Sequence, residues 1–373
     1  MNALGEVHSP PCLIKEIYDL LMPLLKDDVH IDVYEPGIGR GIFYELYPYK
    51  EKTTYTGCDI QYSHPPPFVK GDFFDQTLDT YDLILGNLPF NHGIVHTPCN
   101  KKSSKKSKTI WTSMLKKCIQ HIKPNKYGAF IIPCIWLKPD RENIHELLLS
   151  KRILYLKTYD CVESNKLFDY RCQTPICYVI FQNTPCPQLK LWDKTSFVDF
   201  PPVSCIPTKN VSLMLSSLQY IQHHNLKTLA PIKIANMKKI IREESGAYFC
   251  IESITKTING FYATTPGSYH GIPKIILANK CLPIPHADYE GVYGLYGRDK
   301  YIILGAQLEK VYDFLKEPIV QQIIKSFNIR MNFYEKHVFQ YLPDPRQCDV
   351  EDYLHPRTFK TAQNMSVNLL YET

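Results

Sequence analysis

The first half of this chain alternates short β-branched and aromatic runs with stretches of helical periodicity, and that alternation constrains the fold more than any other feature. His30-Ile31-Asp32-Val33-Tyr34 reads as a strand ending at Glu35. Thr54-Tyr55-Thr56-Gly57-Cys58 reads as a second, ending at Asp59. Tyr81 to Leu85 is a third, ending at Gly86-Asn87, and Gly128 to Ile132 is a fourth. Leu13 to Leu25 and Ile110 to Ile122 carry apolar residues at helical spacing, and Ile176 to Phe181 is a late apolar strand. Strands that alternate with helices imply a mostly parallel, doubly wound α/β sheet of Rossmann-like type. Such sheets bind ligands beyond the carboxyl ends of their strands, where Glu35, Asp59 and Asn87 all fall.

The pattern changes after Asn183. Pro185, Pro187, Pro201, Pro202 and Pro207 mark residues 184–210 as a linker. Residues 1–183 are then one domain and 211–373 a smaller α+β domain. The second is expected to open with a helix over Ser212–Ile221 and to continue with β-rich runs at 246–251, 274–278, 291–296 and 301–304. Helices are expected at Leu308–Leu315 and Ile319–Phe327. A chain of 373 residues suits two domains, and 44% hydrophobic with 21% charged residues is ordinary globular composition. No apolar run is long enough for a bilayer and no charged-then-apolar leader opens the sequence, so a cytoplasmic protein without a membrane partner is expected. The 13 cysteines contain no C-x-x-C pair, so no zinc knuckle is written here and no metal is expected. A net charge of +6 fits a polyanionic partner.

Three segments carry the chemistry. Glu35-Pro36-Gly37-Ile38-Gly39-Arg40-Gly41 is a Gly-rich strand-to-helix turn, where bare backbone lets a cofactor approach. Its leading acid disfavours a pyrophosphate and suits a positively charged amino-acid group. Asp59, at the next strand end, is placed to accept from ribose hydroxyls or to close a turn. In Gly71-Asp72-Phe73-Phe74 a carboxylate beside aromatics can take an adenine amino group while a ring packs on the base. The sharpest segment is Asn87-Leu88-Pro89-Phe90. An adenine amino nitrogen is a poor nucleophile because its lone pair is delocalised. Two acceptors, the Asn87 side-chain oxygen and the Leu88 carbonyl, would draw it toward tetrahedral geometry, with Pro89 stiffening the loop and Phe90 stacking on the base.

In that order the motifs resemble the gamma class of amino-methyltransferases of restriction–modification systems. The likeness starts at Gly5-Glu6-Val7-His8-Ser9-Pro10, similar to that family's Gly-x-x-x-Thr-Pro segment, and runs to Phe181. It implies S-adenosylmethionine bound across Ser9, Glu35, Gly37, Gly39, Asp59, Asp72 and Phe73. It implies methyl transfer to adenine N6 in duplex DNA, with the base flipped into a pocket of Asn87, Leu88, Pro89 and Phe90. Phe168 is implied as a second stacking ring. The second domain would then read the target sequence in a monomer whose implied partner is a separately encoded restriction endonuclease, and Leu342-Pro343-Asp344-Pro345-Arg346 is similar to a segment near the end of some recognition domains. Leu88 stands where the family has proline, and Ser9 where it has threonine. Asn-Leu-Pro-Phe also resembles the Asn-Leu-Pro-Tyr loop of ribosomal RNA adenine dimethylases. Three alternatives therefore stand: an RNA adenine methyltransferase, a degenerate methyltransferase fold serving as a DNA-binding or partner subunit, and transfer to cytosine N4. The long β-rich second half favours DNA, and Asp72-Phe73 with Asn87 favours adenine.

Lys101, Lys102, Lys105, Lys106 and Lys108 follow the Asn87 segment closely; such a run forms a solvated loop or, beside a base pocket, contacts phosphates. Replacing all five by serine is expected to weaken DNA binding on every sequence alike. A shallower log–log salt dependence of the dissociation constant checks it, because fewer counterions are released.

Overall fold

The computed structural model describes residues 7–90, 109–170, 172–234, 240–254, 257–279, 284–298, 300–327, 329–330 and 335–354. The chain divides into two compact units, Met1–Thr208 with Ile329–Met331, and Lys209–Asn328 with Asn332–Thr373. In the first, the helices are α1 (Pro11–Leu21), α2 (Ile42–Leu46), α3 (Trp111–Gln120), α4 (Ile144–Leu149) and α5 (Cys161–Leu167). The strands are β1 (Ile31–Pro36), β2 (Thr53–Asp59), β3 (Phe68–Lys70), β4 (Tyr81–Asn87), β5 (Ile122–Pro133), β6 (Arg152–Tyr159), β7 (Ile176–Gln182), β8 (Gln188–Asp193) and β9 (Ser196–Phe200). They form one nine-stranded sheet in the order β3-β2-β1-β4-β5-β7-β6-β8-β9. From β3 through β5 every pairing is parallel, whereas β7 lies antiparallel between β5 and β6. This is a Rossmann-like α/β unit with a mixed sheet.

The elements follow from the residue pattern. In α1 the buried residues Leu13, Ile14, Ile17, Tyr18 and Leu21 recur at helical spacing, and Pro11 at the first helical position loses no hydrogen bond. That face packs with Ile31, Val33, Leu83, Leu85, Ala129, Ile131, Tyr178 and Ile180, the alternate residues of β1, β4, β5 and β7. On the other face Tyr34 donates to Cys58 Sγ (3.2 Å) and lies beside Phe73. Residues Asp82 to Gly86 of β4 are buried without interruption, as a strand covered on both faces requires.

Two sequence expectations need correction. Residues 184–210 are not a plain linker, because β8 and β9 add a hairpin to the first sheet there. β8 pairs in parallel with β6 and alternates buried Leu189 and Leu191 with half-buried neighbours. The prolines flank these strands rather than break them. β3 and β6 were also not expected; each is short or mixed in polarity, so tertiary pairing rather than pattern makes them strands.

The second unit is α+β. It holds α6 (Val211–His223), β10 (Ile232–Lys233), β11 (Tyr248–Ile254), β12 (Ile258–Ala263), β13 (Lys274–Ala278), β14 (Pro285–Asp288), β15 (Gly294–Leu295), β16 (Lys300–Ile303), α7 (Leu308–Lys316), α8 (Pro318–Lys325) and α9 (Val350–Leu354). A four-stranded sheet, β10-β16-β13-β14, and a three-stranded sheet, β12-β11-β15, share a core of Ile234, Ile251, Ile276, Leu295 and Ile302. Fully buried Lys274 pairs with Asp288 and donates to the carbonyls of Tyr269 and Ile272. Asp288 also accepts from the backbone of Val292 and Tyr293, so each member of this buried pair is well hydrogen-bonded. In the Leu342–Arg346 segment, Arg346 turns back onto Asp344 and the Leu304 carbonyl.

At the amino edge of the first sheet, an irregularity in the β4–β5 register accompanies a charge network. Lys123 bridges Asp32 and Asp82 at 2.8 and 2.9 Å, and Lys126 bridges Asp28 and Asp82 at 2.9 and 3.4 Å. Burial pushes the Asp82 carboxyl upward, but the Asp32 N–H and the two ammonium groups outweigh it and hold Asp82 below the usual range. A depressed folded value means that stability from this group is complete above its unfolded pKa of about 3.9 and drains away as pH falls through the folded value. Lys123→Met is expected to cost near the low end of about 1.5–3 kcal/mol at neutral pH. Urea melts from pH 7 down to pH 2 check it: the gap between variant and wild type should close in acid.

Candidate functional site

β1, β2 and β4 are adjacent and parallel, so their carboxyl ends share one edge of the sheet. The chain leaves β1 toward β2 on one side, and β4 lies on the other. This reversal of strand order leaves a crevice at the ends of β1 and β4. The turn after β1 needs glycine: Gly37, Gly39 and Gly41 have φ of 79°, 56° and 82°. It is stitched to β2 by bonds from the N–H groups of Gly37 (2.9 Å) and Ile38 (3.1 Å) to the Cys58 carbonyl. A Cβ built on Gly37 would stand 3.8 Å from Pro89 Cδ, so the Gly-rich turn and the Asn87–Phe90 loop are neighbours.

Glu35 is 1% exposed, and its Oε2 accepts from Tyr55 Oη at 2.7 Å. Burial raises its pKa to about 8, the negative charge of Asp59 adds to the rise, and the Tyr55 bond opposes it. Asp59, also buried, accepts from Gly39 N–H on Oδ2 (2.8 Å) and from Gln61 and Tyr62 N–H on Oδ1 (2.7 and 2.8 Å). It therefore closes a turn and ties it to the Gly-rich loop, which uses three of its roughly four lone-pair positions. Gly71 N–H donates to the Asp59 carbonyl (2.9 Å) and brings the next turn alongside. There Asp72 Oδ1 caps Phe74 N–H (2.9 Å), while Oδ2 has no hydrogen bond among the described residues. Among these residues none of the three acids is ion-paired.

Asn87 Nδ2 donates to the Val7 carbonyl at 3.2 Å. A carbonyl only accepts, so this contact sets the amide orientation and leaves Oδ1 as the outward acceptor. Leu88 is fully buried, Pro89 is exposed, and Phe90 is partly buried against the α1-side core. Ser9 is buried just ahead of α1.

Two expected ring contacts are corrected. Phe73 is 5% exposed, with its ring on Tyr34 and Phe74 and the Lys117 ammonium 4.8 Å from its centroid. The exposed ring of that turn is Phe74, with Ile60 exposed beyond β2. Phe168 is a core residue; exposed Tyr170, at a φ of 63°, is the ring that this turn presents. Ile176 lies opposite Pro133, so the turn before β7 emerges on the same edge as Asn87, two strands from β4, or roughly 10 Å at about 4.8 Å per strand. Gly5 and Glu6, and the lysines at 101, 102, 105, 106 and 108, lie outside the described residues. Sequence reasoning also missed His64, whose Nε2 is 2.8 Å from the Gly39 carbonyl; the only trace of it is a histidine among turn residues, Ser63-His64-Pro65.

No protein-family model matches the chain. Among solved structures it is similar to a protein assigned as a class I S-adenosylmethionine-dependent methyltransferase from Listeria monocytogenes, with 11% identity over 52% of this chain and 68% of that one and a TM-score of 0.41. A modification subunit assigned to a type I restriction enzyme of Vibrio vulnificus gives 13% identity over 70% and 60%, with a TM-score of 0.37. The M protein of the type I restriction enzyme EcoKI gives 12% over 51% and 48%, with a TM-score of 0.36. The chain thus spans about half to three-fifths of the two restriction-system proteins. At such scores the chemistry rests on the site residues themselves. No helix among the described residues is long and apolar enough to cross a membrane.

A cation bound beside Glu35 would favour its ionised form, so such a ligand is expected to release protons from this carboxyl below about pH 8 and none well above it. Calorimetric titration with S-adenosylmethionine, in buffers of different ionisation heat, measures that release. Glu35→Gln should abolish it and weaken binding.

Proposed function

We propose that this chain is an S-adenosylmethionine-dependent methyltransferase that acts on the exocyclic amino group of adenine in DNA. The observation that carries the reading is Asn87: it ends β4 at the reversal of strand order, beside the Gly-rich turn, with its Nδ2 donating to the Val7 carbonyl so that Oδ1 is the amide atom kept as an acceptor. The residues present fit the cofactor. Glu35 suits its ammonium group, the bare backbone at Gly37 allows close approach, Asp72 Oδ2 is an open acceptor, and Ile60 and Phe74 offer apolar surface beside Asp59. Among the described residues Asp59 and Asp72 have no ion-pair partner, and Glu35 is ionised when a cation binds beside it, which together favour a ligand that is itself positively charged.

When bound, the cofactor supplies an electrophilic methyl group. The chain's part is to turn a poor nucleophile toward it. Asn87 Oδ1 and the Leu88 carbonyl accept the two amino hydrogens, which draws the lone pair out of the ring. Acceptors held in place before reaction would need little reorganisation as charge develops. Phe90 packs on the base. Tyr170, exposed on the same edge, takes the role that Phe168 cannot fill from the core. Because this amino group is not open to in-line attack inside a stacked duplex, the base must be flipped out, and the second unit together with the Lys101–Lys108 run is assigned to holding and reading DNA. A restriction-type role, with an endonuclease as partner, belongs to this same proposal.

Sequencing DNA from an expressing host with modified-base detection tests the reading, with N6-methyladenine at one defined site as the expected result. Asn87→Ala is expected to bind cofactor normally and to lose about 10²–10³-fold in kcat, the range for removing one preorganised hydrogen-bonding group. Asn87→Asp is expected to be impaired as well, since a carboxylate oxygen would face the Val7 carbonyl with no hydrogen to offer. Single-turnover assays on methyl-free DNA measure both.

A further inference from the structure

The Gly-rich turn is held from outside by the segment that follows β2. Gly39 N–H donates to Asp59 Oδ2 at 2.8 Å, and the Gly39 carbonyl lies 2.8 Å from His64 Nε2. The carbonyl can only accept, so Nε2 carries the proton. The same imidazole lies edge-on to Phe68 (5.8 Å between centroids), and its Cε1 would be 3.6 Å from a Cβ on Gly41. Asp59 Oδ1 meanwhile fixes Gln61 and Tyr62 N–H, so the span from residue 59 to 64 is itself tied down at its start. Gly39, at a φ of 56° with no side chain to restrain it, is the kind of position that gains most conformations when released.

We propose that His64 is a positioning residue that, together with Asp59, grips both polar groups of Gly39 and presets the Gly-rich turn for the cofactor. This rests on the cofactor reading given above. Two consequences follow. Gly39 N–H is already committed and is not a donor to the ligand. Asp59 serves binding chiefly through the turn, since one lone-pair position remains for a ribose hydroxyl.

The test uses the full chain with S-adenosylmethionine and S-adenosylhomocysteine as probes. His64→Ala is expected to weaken both by about tenfold, to leave the melting temperature of the free protein nearly unchanged, and to speed amide exchange of a peptide spanning residues 36–42. His64→Gln, which restores a donor, is expected to recover most of the affinity. Unchanged affinity in His64→Ala overturns the proposal, whether or not exchange rises. Equal losses in His64→Ala and His64→Gln, with a lowered melting temperature, also overturn it, because they describe a packing role. Wild-type protein that binds neither probe brings down the cofactor reading instead, and the exchange measurement still reports whether His64 holds the turn.

Discussion

β1 pairs in parallel with β2 along one edge and with β4 along the other, and its residues from Val33 to Pro36 are all buried. A strand enclosed on four sides carries whatever ends it into surroundings of low polarisability. That placement is what makes Glu35 unusual: the same carboxyl on an edge strand would be solvated and ionised, whereas here burial brings its pKa to about 8. The reversal of strand order falls at this strand too, so the crevice and the perturbed acid have one cause. The turn leaving β1 must bend sharply to reach α2 while staying bonded to Cys58, and glycines accept the positive φ angles of that path without the steric cost a side chain would add.

The two edges of the first sheet treat carboxylates in opposite ways. At the amino edge, Asp28, Asp32 and Asp82 are ion-paired with Lys123 and Lys126. At the carboxyl edge, among the described residues, Asp59 and Asp72 are held by backbone N–H groups, which orient a carboxylate without cancelling its charge. A chain of net charge +6 thus keeps, among its described residues, carboxylates without ion partners at this edge. Geometry fixed by backbone donors, with charge left over, is a suitable preparation for a cationic ligand, because little has to move when the ligand arrives.

Aromatic residues show the limit of motif reading. In Phe73-Phe74 and in Phe168-Asp169-Tyr170 a ring was expected to face a ligand, and in each case the first ring is in the core and a later one is outside. A shift of one residue (Phe73 to Phe74) or two (Phe168 to Tyr170) in a tight turn exchanges inward for outward direction, and nothing in four or five residues of sequence specifies which ring the core will take. Packing decides it: the Phe73 ring lies beside Tyr34 and under the Lys117 ammonium, and Phe168 closes the α1-side core.

The sequence alone determined the parallel, doubly wound character of the first unit and the placement of Glu35, Asp59 and Asn87 at strand ends, because β-branched and aromatic runs and glycine punctuation are local properties. The helices α1 and α3 and the strands β1, β2, β4, β5 and β7 lie within a few residues of where the pattern puts them, the largest departure being β5, which begins six residues earlier. Tertiary structure alone decided the rest. The hairpin β8–β9 exists because β6 offers an edge to pair with, which turned an expected proline linker into part of the sheet. The amide orientation of Asn87 comes from Val7, 80 residues away, and the grip on Gly39 comes from His64, 25 residues away. Such contacts depend on where separate elements meet in space, and a bond between residues far apart in sequence leaves no local signature in either segment.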